Sequence, residues 1–231
     1  MSIAENIAQV RTNIAQACAQ AGRSPEEITL VGASKMNDAA ACREAIAAGI
    51  DALGENRVQE MTAKLADNAY DGAPLHFIGH LQRNKVKQVV GKVALIQSVG
   101  SMELLEEIEK VAAREQLVQD ILLEVNIGRE EAKSGFDPDA VTAAAEAALS
   151  LPHVRVRGLM TIPPADADRD ANMRYFQEVQ ALYVDINTKL FHNELKCLSM
   201  GMSGDYMDAI RCGATMVRAG TAIFGARNYN I

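Results

Sequence analysis

The 231-residue chain carries 23 Lys and Arg against 30 Asp and Glu, a formal net charge of −7. That balance gives no bulk attraction for nucleic acid or an anionic membrane, so an anionic ligand needs a local cluster of donors. Hydrophobic residues make up 48% of the chain, aromatics 4%, and Trp is absent, which predicts the aliphatic interior that parallel sheets covered by helices bury.

Residues 2–21 open with Ser2-Ile3-Ala4-Glu5, a capping box, and Ile3, Ile7, Val10, Ile14 and Cys18 then recur at helical spacing. Ser24-Pro25-Glu26-Glu27 starts a further short helical turn. From there strands and helices alternate. The predicted pairs are Ile28–Ser34 with Asp38–Ala48, Ala52–Gly54 with Val58–Ala66, Leu75–Gly79 with Lys85–Val90, and Ala94–Ser98 with Met102–Arg114. They continue as Ile121–Asn126 with Asp139–Leu149, Val154–Met160 with Asp170–Leu190, Lys196–Met200 with Tyr206–Arg211, and a last strand Thr215–Arg218. Gly49 and Gly213 sit at C-cap positions, and Asp137-Pro138 reads as an N-cap followed by Pro at the first helical position. Eight strands alternating with helices predict a single TIM-like (β/α)8 barrel with an extra N-terminal helix; five or six would suit an open doubly wound sheet. No linker or low-complexity tract divides the chain, so one domain over residues 1–231 is expected.

Cys18, Cys42, Cys197 and Cys212 form no Cys-x-x-Cys pair, so zinc and redox spacings are missing and the thiols read as reduced. Glu5 and Arg11 in the first turns argue against a secretory signal, and no run approaches the ~18 apolar residues of a membrane helix. A cytoplasmic monomer is expected.

Barrels place their chemistry on the loops at the C-terminal ends of the strands. The first strand ends in Ser34-Lys35. A lysine delivered to the mouth by a buried apolar run is desolvated toward a neutral amine, a nucleophile for carbonyls; a surface lysine opening a helix fits the same letters. The second strand ends in Gly54-Glu55-Asn56 and the third in His76-Phe77-Ile78-Gly79-His80, which puts polar groups at the mouth or marks plain turns. His76 and His80 share a strand face but lack a third ligand, so no metal site is expected. The seventh strand runs into Ser199-Met200-Gly201-Met202-Ser203-Gly204-Asp205 and the eighth into Arg218-Ala219-Gly220-Thr221-Ala222-Ile223-Phe224-Gly225. Barrels often bind phosphate between these two loops, on backbone N–H groups supplemented here by the hydroxyls of Ser203 and Thr221; two flexible turns are the plainer reading. Arg218 lies between those loops and the mouth, placed to pair with a phosphate, a ring nitrogen or a barrel acid. Arg83, Lys85, Lys87 and Lys92 read as a solvated helix face, and Met160, Met200 and Met202 mostly as core filling.

Together, Ala33-Ser34-Lys35, the run Gly54 to Glu60, the run His76 to Lys85, Lys133-Ser134-Gly135-Phe136, Arg157-Gly158-Leu159-Met160, Leu198 to Ser203 and Val217 to Gly225 resemble the pyridoxal phosphate homeostasis protein family, in family order over nearly the whole chain. The resemblance implies a barrel related to the N-terminal domain of bacterial alanine racemase, without that enzyme's second domain. It implies that Lys35 holds pyridoxal 5′-phosphate (PLP) as an internal aldimine and that Ser203, Gly220 and Thr221 bind its phosphate. Arg218 would face the pyridine nitrogen and Asn56 line the ring pocket, with Met200 counted among the lining residues. The chain departs from the family at Met36-Asn37-Asp38, where many members carry Thr-Lys-Pro, and at Arg57, which replaces a frequent aromatic.

An always-charged Arg at the ring nitrogen suppresses ring protonation and weakens PLP as an electron sink, although alanine racemase tolerates such an Arg, so the second acid/base weighs more. A racemase also needs a second acid/base, supplied in the related enzymes by a second domain, whereas this sequence stops at Ile231. The expectation is therefore a PLP carrier acting in vitamin B6 and amino-acid homeostasis, with no catalytic residue assigned and PLP-dependent apoenzymes as recipients. The rivals are a weak PLP-dependent racemase or lyase using His80 or Tyr206, and a Schiff-base aldolase that needs no cofactor.

Overall fold

The computed structural model describes residues 1–225; residues 226–231, the end of the expected domain, lie outside the described residues. Helix α1 (Ile3–Ala21) starts from the expected box, with Ser2 Oγ accepting the Glu5 N–H and the Glu5 carboxylate accepting the Ser2 N–H. The strands that follow are β1 (Thr29–Ala33), β2 (Ala52–Glu55), β3 (Leu75–Phe77), β4 (Leu95–Val99), β5 (Gln119–Val125), β6 (Val154–Thr161), β7 (Cys197–Met202) and β8 (Met216–Ala219). They pair in sequence order, all parallel, and β1 closes the barrel on β8.

The helices between them are α2 (Ala39–Ala47), α3 (Val58–Ala66), α4 (Met102–Arg114), α5 (Val141–Ala148), α6 (Arg169–Leu190) and α7 (Tyr206–Arg211), followed by the short α8 (Thr221–Phe224). Gly49 and Gly213 take positive φ just past α2 and α7, as caps should. Two expected helices differ. Lys85–Val90 is instead a 3₁₀ segment over Arg83–Gln88, held by bonds such as Lys85 N–H to the Gln82 carbonyl. Asp137 does not cap α5: its carboxylate accepts the Asp139 N–H and pairs with Arg129, so residues 137–140 form a turn and the helix begins at Val141.

Strand alternation sorts the side chains into two layers. Val31, Ala52, Leu95, Leu122, Met160 and Met216 pack against one another inside the barrel. Leu30, Leu53, Ile96, Ile121 and Leu198 face outward and join the helices in the larger core. Among the described residues no helix is long and apolar enough to cross a membrane, no group of acids, His and Cys could hold a metal ion, and all four cysteines are free.

Candidate functional site

On β1 the alternation continues past the end of the strand. Val31 lies inside the barrel, Ala33 and Lys35 follow at steps of two and reach its mouth, and Ser34 points out toward the helices. A cavity of about 270 Å³ opens there. Lys35, Asn56, Ser203, Arg218, Gly220 and Thr221 line it together, with apolar walls from Ile78, Ile162 and Met202. Six of the seven residues expected from sequence thus surround one space.

Met200 does not. It is fully buried in the outer core, and Met202 lines the cavity in its place. Regular strand alternation puts Met200 there, on the outward face with Leu198, while Gly201, with a φ of +90° and a register shift against β8 between Ser199 and Met202, turns Met202 inward. A side chain on Gly201 would also meet Ala209 Cβ at 2.6 Å.

Arg218 is buried and rigidly held. One guanidinium nitrogen donates to Ser199 Oγ at 2.5 Å and the other to the Thr161 carbonyl at 2.9 Å. Burial pulls its pKa down to about 10, while the negative charges of Glu124 and Asp205 work in the opposite direction; at neutral pH it stays charged. The chain of polar contacts goes deeper. Ser199 donates to Gln97 Oε1 at 2.7 Å, and Gln97 Nε2 lies 2.9 Å from His76 Nδ1. This ladder from β3 to β8 was missed by the sequence reading, although a Gln in the middle of the apolar run Leu95–Val99 is the signal that could have revealed it.

The loops after β7 and β8 are tied to each other. Ser203 Oγ accepts the Gly220 N–H at 3.1 Å and the Ala222 N–H at 3.2 Å. Those two amides are therefore engaged by the serine, and it is the Ser203 hydroxyl hydrogen that remains to be offered to a ligand. On the opposite wall, Asn56 Oδ1 is buried and has no hydrogen-bond partner among the described residues, which marks it as a handle for a ligand group. An amine, a guanidinium, hydroxyls and a lone amide oxygen around one small space suit a ligand that bears a carbonyl, a ring and an anionic group.

A wider depression of about 850 Å³ lies on the same face, bounded by His80, Arg83, Ser101, Lys133 and Ser134 among others. Glu124 connects it to the cavity: its carboxylate accepts the Ser134 hydroxyl and senses the Arg218 charge, while burial raises its pKa. Of the basic run, Arg83, Lys87 and Lys92 are exposed and Lys85 is half-buried. Neither His80 nor Tyr206 lines the cavity. Tyr206 is buried, and its hydroxyl accepts from Asn13 of α1 at 2.8 Å.

His76 provides a stability test of the ladder. Burial pushes its pKa down to about 4. An unfolded imidazole protonates near 6.5, so between the two values the unfolded state binds more protons and stability falls as the pH drops from about 6.5 to about 4, by roughly 3 kcal/mol in all. His76→Gln should remove that component. Urea midpoints at about pH 7 and about pH 4.5 measure it; equal acid losses in the two chains would refute a neutral buried imidazole. Glu124 acts with the opposite sign in both chains and cancels.

The profile of the alanine racemase N-terminal domain family matches residues 6–228. A protein of Aquifex aeolicus named pyridoxal phosphate homeostasis protein is 42% identical over 229 residues, which cover 99% of this chain and 100% of that one. This chain belongs to the pyridoxal phosphate homeostasis protein family. Solved structures agree with that membership. A protein of Bifidobacterium adolescentis superposes with a TM-score of 0.90 at 36% identity, covering 96% of this chain and 94% of that one. PipY of Synechococcus elongatus, solved with PLP bound, superposes with a TM-score of 0.85 at 32% identity, covering 97% of this chain and 100% of PipY. The closed parallel barrel is thus the fold of the alanine racemase N-terminal domain.

Proposed function

We propose that the cavity holds PLP on Lys35 and that the protein acts as a carrier of this cofactor in vitamin B6 and amino-acid homeostasis, with PLP-dependent apoenzymes as recipients. The observation that carries the reading is the convergence of Lys35, Ser203, Thr221 and Arg218 on one cavity of about 270 Å³. When bound, PLP would supply an aldehyde for a Schiff base with the Lys35 amine, together with a ring and a phosphate. Ser203, its oxygen already accepting two backbone N–H groups, directs its hydroxyl hydrogen to the phosphate, with Thr221 and the Gly220 loop beside it. Asn56 faces the ring substituents. Arg218, fixed by Ser199 and Thr161, would face the ring nitrogen and, permanently charged, would not give up a proton to it.

That last feature favours holding over turnover. An unprotonated ring is a poor electron sink, so carbanion chemistry gains little from this site. A racemase would also need a second acid/base beside Lys35, and among the described residues neither His80 nor Tyr206 lines the cavity. The membership in a family named for PLP homeostasis and the PLP-bound relative support the same reading.

A spectrum of the purified protein incubated with PLP tests it. A visible imine band that borohydride bleaches is expected, with the reduced adduct mapping to Lys35, and Lys35→Ala should lose both. A Lys35→Ala chain with an unchanged band, or sustained turnover of an amino acid by the wild type, would defeat the proposal.

A further inference from the structure

We infer that helix α3 positions the Lys35 amine, through Glu60 and Lys64, which hold the peptide groups on either side of it. The inference rests on the reading of Lys35 as the PLP anchor. Glu60 Oε2 accepts the Met36 N–H at 2.9 Å. Lys64 Nζ donates to the Ser34 carbonyl at 2.8 Å. The Ser34 hydroxyl donates at 2.6 Å to Glu55 Oε1, the same oxygen that receives Lys64 Nζ at 2.6 Å and the Tyr70 hydroxyl at 3.0 Å. Lys35 thus stands on a short segment tethered at both ends, and both tethers reach it from one face of α3, where positions four apart are neighbours.

The β1 ladder ends at Ala33, and Met36 sits at a φ of +62°, a left-handed conformation that is costly for a residue with a side chain. The segment closes its own turn, with the Asn37 N–H on the Ser34 carbonyl at 3.1 Å and Asn37 Nδ2 on the Lys35 carbonyl at 3.1 Å, and the Ser34 N–H reaches the Gly54 carbonyl at 2.9 Å; the two bonds from α3 fix that turn, and the Cα of Lys35 with it, against the helix layer. A lysine side chain already has large rotamer freedom, so its Cα must be fixed if the amine is to meet a carbonyl held by the opposite wall. Neither Glu60 nor Lys64 lines the cavity. They are positioning residues that act through the backbone.

Glu60 is half-buried at the helix surface, so its variants are expected to fold. Glu60→Ala removes the acceptor, while Glu60→Gln keeps a carbonyl oxygen in its place. On dilution of the PLP-loaded protein, loss of the visible band should be about three- to tenfold faster in Glu60→Ala, the size of one lost hydrogen bond, and close to wild type in Glu60→Gln. In the cofactor-free chain the Met36 amide should exchange faster in Glu60→Ala by a similar factor and not in Glu60→Gln. Lys64 is tested as Glu55→Gln/Lys64→Met, which leaves no lone buried charge, and the same acceleration of release is expected. Wild-type release and exchange in Glu60→Ala, or equal impairment in Glu60→Gln, would overturn the part given to Glu60; wild-type release in the double variant would overturn that given to Lys64. A wild-type chain that never forms the linkage defeats the functional reading alone, and the tether then stands or falls on Met36 exchange.

Discussion

Gly79→Ala is expected to destabilise the protein by about 3 kcal/mol or more and to weaken PLP binding with it. A Cβ on Gly79 would lie 2.2 Å from the Asn56 carbonyl oxygen, 2.5 Å from Asn56 Cα and 2.7 Å from its carbonyl carbon. All three are backbone atoms, so no side chain can swing aside to make room. Residue 79 has little freedom to retreat, because its carbonyl accepts the Ser98 hydroxyl at 2.6 Å, and the adjacent Ile78 N–H bonds the Glu55 carbonyl at 2.8 Å. The β2–α3 connection would have to yield, carrying Asn56 away from the cavity and α3 away from Lys35. Urea unfolding of the cofactor-free chain measures the first effect and PLP titration the second. A variant with a wild-type urea midpoint would mean that the two loops separate more easily than their hydrogen bonds indicate.

Lys64→Met should cost about 3–5 kcal/mol, because it leaves the Glu55 carboxylate buried without its cation. Glu55 is fully buried, and the side chain of Lys64 is only 10% exposed. Three donors meet at Glu55 Oε1 while Oε2 is buried without a partner among the described residues, so the ammonium is the main compensation for the charge. Adding Glu55→Gln should restore much of the loss, since removal of both charges spares the desolvation that removal of one exposes. A surface pair such as Lys189–Asp185, with side chains 66% and 48% exposed, should hardly register when broken. Chemical denaturation of the two single variants and the double variant gives the coupling directly. Additive losses would show that Lys64 stabilises α3 by packing rather than by neutralising Glu55.

These expectations concern residues whose importance was hard to read from the chain. The alternation of apolar strands with amphipathic helices was legible, because periods of 2 and 3.6 are local properties; the expected strand ends agree with the observed ones to within two residues. Lys35, Ser203, Arg218, Gly220 and Thr221 were legible too, since each stands at or just past the C-terminal end of a strand, where a barrel places its chemistry. Met200 was counted among the lining residues on the resemblance alone; two positions after Leu198 it shares that residue's outward face, and Met202 reaches the cavity only through the register shift against β8 at Gly201. Asp137 was misread because a local cap rule competed with Arg129 and the Asp139 N–H for the same carboxylate.

What the sequence by itself determined is the barrel, the lysine at its rim and the two small-residue loops opposite. What only the tertiary structure decided is how those groups are held. Ser199 reaches Gln97 across 102 positions, Arg218 reaches Thr161 across 57, and Lys64 reaches Ser34 across 30. No local pattern encodes such pairs, because a hydrogen bond between distant residues exists only once closure of the barrel has brought their strands and helices together.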